Sequence, residues 1–406
     1  MMVRRRLKDL GIFKSGLTYS PEDICDEDKG VLVLRSSNIQ DGKLVFNNNV
    51  YVDMDLHEKM LVSKGDILIC SRNGSASLVG KTAIIDRDVK ASWGAFMMLF
   101  RTIYDSSYMN YLLNVSITKS KGLFSTSTIN QLTNSMLGDI FVDVFDTKEE
   151  QEQIGEYLDA KCGDIDNRIA VLEKEQKAYE RLKVAVINRA VTEGLDPETP
   201  KRDSGLDWLG MIPEHWEVKR LKDLCTCNDE VLKEDTKGII EYVEIGDVVY
   251  PKGITNTSFV DFEEAPSRAR RITRSGDVIV STVRTYLKAI AQIQRDGLIV
   301  STGFAVLRPK SVLSTFLSHA LLANRSLGWI NAESKGTSYP AINSSTVETL
   351  PMAVPPLSEQ KVIVEYLDTK CAAIDAKIGN IAKRFEAYKR LKRALINEVV
   401  TGKRAV

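Results

Sequence analysis

The stretch Glu156-Tyr157-Leu158-Asp159-Ala160-Lys161-Cys162 returns 209 residues later as Glu365-Tyr366-Leu367-Asp368-Thr369-Lys370-Cys371. Carried from 156–192 onto 365–401, that offset gives 20 identities in 37 positions without a gap. They include Ile165/Ile374, Asp166/Asp375, Ala178-Tyr179/Ala387-Tyr388, Arg181-Leu182-Lys183/Arg390-Leu391-Lys392 and Val191-Thr192/Val400-Thr401. Chance does not produce a match of this density. The chain is a tandem duplication, and its fold is one plan used twice.

The duplicated segment reads as helix. In the second copy apolar residues fall at Leu367, Cys371, Ile374, Ile378, Ile381, Phe385, Tyr388, Leu391, Leu395 and Val399. The first copy repeats the stripe at Leu158, Cys162, Ile165, Ile169, Leu172, Tyr179, Leu182 and Val186, with polar Gln176 opposite Phe385. Steps that mostly alternate four and three mark the seam of a long helix packed lengthwise on another. No proline interrupts either run, and at 1.5 Å per residue each copy makes a rod of roughly 55 Å. Gly194, Pro197 and Pro200 end the first helix; Thr401-Gly402 follows the second. Segment 149–192 carries net charge −3 and 358–404 carries +5, signs that suit packing of the two helices on each other.

Each helix follows a region that also repeats, more weakly. Arg6-Leu7-Lys8-Asp9-Leu10 matches Arg220-Leu221-Lys222-Asp223-Leu224. Lys64-Gly65-Asp66-Ile67-Leu68-Ile69-Cys70 matches Ser275-Gly276-Asp277-Val278-Ile279-Val280-Ser281, a turn feeding a buried strand. Ile129-Asn130 resembles Ile342-Asn343. Short β-type runs (Val31–Leu34, Thr82–Ile85, Phe96–Phe100, Ile240–Ile245) alternate with helical ones (Tyr108–Lys119, Leu313–Asn324), so each region reads as an α+β domain. The expected order is a first domain at 1–148, a long helix at 149–192, a linker at 193–213, a second domain at 214–357 and a second long helix at 358–406.

Catalytic signatures are missing. No G-x-G-x-x-G follows a strand, no G-x-S-x-G elbow occurs, and the only Pro-Pro is Pro355-Pro356, outside the Asn/Asp-Pro-Pro-aromatic pattern of amino-methyltransferases. Gly74-Ser75-Ala76-Ser77-Leu78-Val79-Gly80-Lys81-Thr82 resembles a P-loop, but five residues separate its glycines and Thr82 leads into the β-type run Ala83-Ile84-Ile85. A P-loop must open a helix whose N-terminal amides hold phosphate. Pro213-Glu214-His215-Trp216-Glu217-Val218-Lys219 has a Glu-x-Lys without the further acid of a nuclease metal site; Trp208 and Trp216 are expected to pack the linker onto the second domain. The six cysteines form no C-x-x-C, and Cys225 and Cys227 read as reduced core thiols, so no metal is expected.

The chain has 406 residues with 55 Lys+Arg against 55 Asp+Glu. That balance argues against gripping polyanions by bulk basicity. No apolar run approaches the ~18–20 residues of a membrane span. The opening residues 1–13 lack an apolar signal core, and a cytoplasmic protein without membrane contact is expected.

The run Asp203-Ser204-Gly205-Leu206-Asp207-Trp208-Leu209-Gly210-Met211-Ile212-Pro213-Glu214-His215-Trp216-Glu217-Val218-Lys219-Arg220-Leu221 resembles the opening of a target recognition domain in the specificity (S) subunits of type I restriction-modification enzymes. Leu350-Pro351-Met352-Ala353-Val354-Pro355-Pro356-Leu357-Ser358-Glu359-Gln360 is similar to that family's entry into its helical conserved region, and Gly65-Asp66-Ile67-Leu68 through Arg72-Asn73-Gly74 also looks like the family. The resemblance spans essentially the whole chain. The first domain departs from it: it starts at Arg6-Leu7-Lys8 without the Trp-Leu-Gly lead, and its close, Val142-Asp143-Val144-Phe145-Asp146-Thr147-Lys148-Glu149-Glu150-Gln151, lacks Pro-Pro-Leu.

The resemblance implies two target recognition domains whose helices pair as an antiparallel coiled coil with pseudo-two-fold repeat symmetry. It implies a chain without catalysis that binds duplex DNA and recruits two methyltransferase (M) subunits, joined for restriction by two translocase/nuclease (R) subunits. S-adenosylmethionine would sit in M, ATP and Mg in R, and no cofactor in this chain. Each domain would read one half of an asymmetric bipartite target, Arg or Lys meeting guanine and Asn or Gln meeting adenine, with the helices setting the unread spacer. The expected readers are polar residues of Gly/Ser/Thr-rich loops: Arg35, Ser36, Asn38, Arg72, Asn73, Lys81, Lys119 and Lys121, then Ser127 and Thr128, in the first domain, and Arg284, Thr285, Tyr286, Lys288, Lys335, Thr337, Ser338 and Tyr339 in the second. Ser334-Lys335-Gly336-Thr337-Ser338-Tyr339-Pro340 reads as a loop before a helix, suited to a phosphate or base edge. Competing classes are an autonomous DNA-binding regulator, which would bind tightly alone, and a scaffold with no sequence preference. By region the charge is +1 (residues 1–148), −3, −3 (193–357) and +5, so neither domain is itself basic. The partners are expected to supply most of the phosphate grip.

Overall fold

The computed structural model describes residues 2–124 and 131–406, and of residues 121–124 the backbone alone. Packing divides the chain into two compact units, one holding the residues up to Glu173 together with Lys383–Val406, the other Lys174–Ala382. Each unit thus contains one α+β domain, the beginning of one long helix and the end of the other.

In the first unit, strands β1 (Met2–Arg6), β2 (Gly11–Ser15), β3 (Ile24–Cys25), β4 (Val31–Leu34), β5 (Tyr51–Val52), β6 (Ile67–Cys70), β7 (Thr82–Ile84), β8 (Ala91–Trp93) and β9 (Met97–Thr102) precede helix α1 (Ser106–Phe124). Strand β10 (Phe141–Phe145) then leads into the long helix α2 (Lys148–Glu193). Two four-stranded sheets form, in the orders β2-β9-β6-β7 and β8-β4-β5-β3, while β1 pairs antiparallel with β10 at the foot of the long helix. Strands β4 (Val-Leu-Val-Leu) and β6 (Ile-Leu-Ile-Cys) are buried at every position. They are continuous apolar runs because both faces of each are covered.

The second unit repeats the plan. Strands β11 (Glu217–Arg220), β12 (Cys225–Cys227), β13 (Ile239–Val243), β14 (Ser258–Asp261), β15 (Ala269–Ile272), β16 (Val278–Ser281), β17 (Ile290–Gln292), β18 (Leu298–Ser301) and β19 (Phe304–Pro309) precede helices α3 (Ser314–Leu322) and α4 (Asn324–Glu333). Strand β20 (Pro351–Val354) leads into α5 (Leu357–Val400). The sheets run β12-β19-β16-β17 and β14-β13-β18-β15, and β11 pairs with β20 as β1 does with β10. In each domain the second sheet holds one parallel pair, β4 with β8 and β13 with β18. The single helix expected over Leu313–Asn324 is broken in two, since Ala323 is extended and caps both pieces. The expected linker is folded: Lys201–Asp203 pairs with Met211–Pro213, and Leu209, Ile212 and Trp216 are buried in this unit's core while the Trp208 ring stands 6.4 Å from Trp329.

The repeated Gly-Asp turn shows why those residues recur. Gly65 and Gly276 take left-handed backbone (φ 92° and 91°) at the turn into β6 and β16. The buried aspartate that follows accepts a main-chain N–H three residues back (Ser63 at 2.7 Å, Arg274 at 2.8 Å) and clamps an arginine of the neighbouring strand. Arg101 donates to both Asp66 oxygens, at 2.7 and 2.5 Å, and Arg308 to both Asp277 oxygens, at 3.0 and 2.9 Å. The adjacent carboxylate raises both guanidinium pKa values above the ordinary arginine value.

A buried glutamine seats each long helix. Gln151 donates to Phe145 O (2.7 Å) and accepts from Asp105 N–H (3.3 Å); Gln360 donates to Pro355 O (2.9 Å) and accepts from Leu313 N–H (2.9 Å). Within the first unit Lys392 bridges both Asp166 oxygens (2.6 and 2.7 Å) and Arg168 Nη1 meets Tyr388 Oη at 3.5 Å, so the paired helix segments run antiparallel. The second unit holds the repeat-related contacts with roles exchanged: Lys183 bridges Asp375 (2.8 and 2.7 Å) and Lys377 meets Tyr179 Oη at 3.4 Å. The duplication of the sequence thus returns in side-chain pairs, once within each unit.

Two seam residues need correction. Leu158, Ile165, Leu172, Leu367, Ile374, Ile381 and Leu395 are buried, and Ile169, Tyr179, Ile378, Phe385 and Tyr388 are half-buried, but Leu182 and Leu391 are 47 % and 51 % exposed. Strict four-three alternation runs 172, 176, 179, 183 and 381, 385, 388, 392, placing Lys183 and Lys392 on the seam. Their side chains are mostly buried and their ammonium groups reach the facing aspartates. Among the described residues no helix is long and apolar enough to cross a membrane.

Candidate nucleic-acid interface

In the second domain the chain leaves β16 through Thr282, whose N–H (2.8 Å) and Oγ1 (2.9 Å) both donate to Gly303 O. It then enters left-handed backbone at Arg284 (φ 52°), makes a tight turn over Thr285–Leu287, and leaves through a second left-handed residue, Lys288 (φ 53°). The turn is pinned from inside: Thr285 is buried with its Oγ1 3.0 Å from Ser334 Oγ, at the end of α4. A second loop lies alongside, because Ile342 N–H donates to Thr282 O (2.8 Å) and Lys335 and Ala341 exchange main-chain hydrogen bonds of 2.8 and 2.9 Å.

These ties gather Arg284, Tyr286, Lys288, Lys335, Thr337, Ser338 and Tyr339 on one surface, all exposed except half-buried Lys288. The Arg284 guanidinium lies 5.1 Å over the Tyr339 ring and the Lys288 ammonium 5.0 Å over Tyr250, whose phenol burial pushes above its ordinary pKa. The attraction of a cation to a ring face holds each side chain in place.

The first domain builds the equivalent place differently. Ser71 and Arg72 both donate N–H to Phe96 O at 3.0 Å, and exposed Arg72 stacks 5.2 Å over the Phe96 ring. Asn73 donates from Nδ2 to Ser36 Oγ (3.2 Å) and accepts the N–H of Ser75 (3.0 Å), bringing Ser36, Arg72 and Asn73 together below an exposed crest of Gly74–Ser77. Arg35 is half-buried and donates from Nη2 to Asn48 O at 2.9 Å. Lys81 is half-buried, and Thr82 opens strand β7 with its Oγ1 donating to Asn110 Oδ1 at 2.6 Å, so this loop leads into a strand and not into a phosphate-binding helix.

Several expected readers change role. Asn38 is fully buried: its Oδ1 accepts Arg35 N–H (2.9 Å) and its Nδ2 donates to Val45 O (2.9 Å), so it shapes a turn and offers nothing outward. Thr285 is the internal pin described above. Lys119 stands on α1, not in a Gly/Ser loop, and lines a cavity of about 840 Å³ with Lys43, Arg87, Arg393 and the Asp166–Lys392 pair. Lys121 belongs to the same helix, while its side chain and Ser127, Thr128, Ile129 and Asn130 lie outside the described residues. The helix after Ser334–Pro340 spans only Ser344–Val347, too short to hold an anion at its N-terminus. The arginine-stacking Phe96, the lysine-stacking Tyr250 and exposed Leu287 had no periodic signal; only a clustering of aromatics beside Arg and Lys after folding reveals them.

Cys225 and Cys227 are free, and burial raises both thiols to about 12. No group of three metal-ligating side chains occurs among the described residues.

Residues 2–178 and 213–386 match the family model described as Type I restriction modification DNA specificity domain. The chain is 25% identical over 397 residues to the type I restriction enzyme StySPI specificity subunit of Salmonella potsdam, covering 91% of this chain and 82% of that one. It is 22% identical over 360 residues to the MjaVIII specificity subunit of Methanocaldococcus jannaschii, covering 86% and 81%. A chain solved in work on complex assembly and conformational transition of the type I R-M system superposes with a TM-score of 0.72 at 17% identity, covering 99% and 98%. The HsdS subunit of Thermoanaerobacter tengcongensis gives 0.52 at 18%, covering 99% and 97%.

Proposed function

The chain belongs to the type I restriction modification DNA specificity family, and from that premise we propose how its surfaces divide the work. Each domain presents the loop after its central strand, β6 or β16, to duplex DNA and reads one half of an asymmetric bipartite target. The observation that carries this is a common scaffold with unlike loops: the Gly-Asp turns and arginine clamps are the same in both domains, while Arg72–Lys81 and Arg284–Lys288 share neither sequence nor shape. Equal scaffolds with different readers give two different half-sites.

The chain performs no catalysis. Two M subunits carry S-adenosylmethionine and methylate adenine, and two R subunits with ATP and Mg join them for restriction. Since neither domain is basic overall, the partners contribute most of the sequence-independent phosphate affinity, and this chain contributes the address. Co-expression with its methyltransferase followed by sequencing of methylated adenines tests the reading. The expected product is one bipartite, asymmetric motif. Lys335→Ala should relax one half of it, and Arg72→Ala the other. Methylation without a shared motif, or relaxation of both halves by either variant, refutes it. DNA affinity of the isolated chain equal to that of the complex at the same salt would overturn the division of labour.

A further inference from the structure

We infer that Tyr286 and Leu287 form an apolar wedge that enters a base step of the half-site bound by the second domain. The inference rests on the DNA-reading role proposed above. Both side chains are exposed, by 52 % and 39 %, at the crest of the turn. What sets this pair apart is its place: a tyrosine and a leucine side by side on a pinned turn, between two ring-stacked cations. The turn is rigid on several counts. Leu287 N–H donates to Arg284 O (2.9 Å) and Lys288 N–H to Thr285 O (3.0 Å), Thr285 is tied to Ser334, and left-handed residues bracket the turn on both sides.

The charges around the crest fit a polyanion whose interior is apolar. Arg284 and Lys288 flank it, each held over an aromatic ring. Cations beside two apolar side chains match phosphates beside stacked bases. Side chains of this kind unstack a step and kink the duplex when inserted. The equivalent loop of the first domain carries Gly74, Ser75, Ala76 and Ser77 at its crest, and its exposed aromatic, Phe96, lies off the loop with the Arg72 guanidinium over its ring. The wedge therefore belongs to the turn after β16.

The test uses the full chain with its partner methyltransferase on duplexes carrying the motif found by methylation sequencing, with 2-aminopurine placed in turn at each position except the methylated adenines and their immediate neighbours, which unstack when the target base is flipped. Wild type should raise the fluorescence several-fold at one step of one half-site. Tyr286→Ala with Leu287→Ala should abolish that rise and weaken binding about tenfold or more, whereas Tyr286→Phe should keep both. Arg284→Ala with Lys288→Ala should weaken binding and flatten its salt dependence yet keep the rise at saturating protein. Melting transitions equal to wild type establish that the variants fold, as exposure of the crest leads one to expect. A tightly bound complex with no enhanced position, or a rise that survives the double alanine change, overturns the wedge. Failure of wild type to prefer its motif overturns the DNA-reading role, and the wedge with it.

Discussion

Replacing Asp277 by Asn should destabilise the second unit by about 2–3 kcal/mol, the magnitude following from burial on the two sides of the clamp. The Asp277 side chain is 2 % exposed and the Arg308 side chain 23 %. Breaking a fully buried ion pair from one side costs about 3–5 kcal/mol, because a desolvated charge is left behind, whereas an exposed pair is worth about 0–1 kcal/mol. Arg308 lies between these limits: water reaches part of it, and Glu230 still accepts from Nη1 at 2.7 Å. Asn keeps an oxygen for the Arg274 N–H, so the turn itself survives. For a body of 150–250 residues the loss corresponds to a fall in melting temperature of about 4–12 °C. Urea unfolding of Asp277→Asn, Arg308→Met and the double variant gives the coupling directly. A loss under about 1 kcal/mol, or a coupling within about 0.5 kcal/mol of zero, would show that the clamp is incidental and that the recurring Gly-Asp serves only the turn.

Lys392→Met should cost the first unit about 1–2 kcal/mol, because Asp166 at 35 % exposure loses its partner, and Asp166→Asn should restore much of it; additive losses in a denaturation cycle would contradict this. His319 has Nδ1 buried without a hydrogen-bond partner, and burial first, with Lys183 adding to it against Asp368, holds its pKa below the usual histidine value. The unfolded chain then binds the proton more readily, so stability is complete above roughly pH 6.5 and falls as pH drops below it. His319→Gln should flatten that acid limb of a urea-midpoint titration, and an unchanged limb would remove His319 as its source. A seven-residue deletion from both long helices shortens each by ~10 Å, and the spacer of the methylated motif should contract by about three base pairs at roughly 3.4 Å each. An unchanged spacer in an active variant would show that the helices do not set it.

The duplication, the two long helices and the α+β character of the domains were legible in the sequence because they rest on local periodicity and on direct identity between copies. Local pattern does not place Leu182 and Leu391, which are apolar but stand off the seam. The rhythm of threes and fours points instead to Lys183 and Lys392, which reach charges brought from the other helix. Asn38 and Thr285 are buried for a related reason. A polar side chain in a loop looks the same in sequence whether it faces water or satisfies a buried N–H and carbonyl.

The sequence by itself determined that this protein is one domain-and-helix plan used twice, because repetition and periodicity are properties of the chain taken in order. Tertiary structure alone decided which polar residues are structural and which face outward. It made Gly-Asp a clamp by supplying Arg101 and Arg308 from neighbouring strands, and it set Tyr286 and Leu287 on a rigid crest between cations. Those outcomes depend on what residues distant in sequence bring to each other, and burial and charge pairing are settled only when the chain has closed on itself.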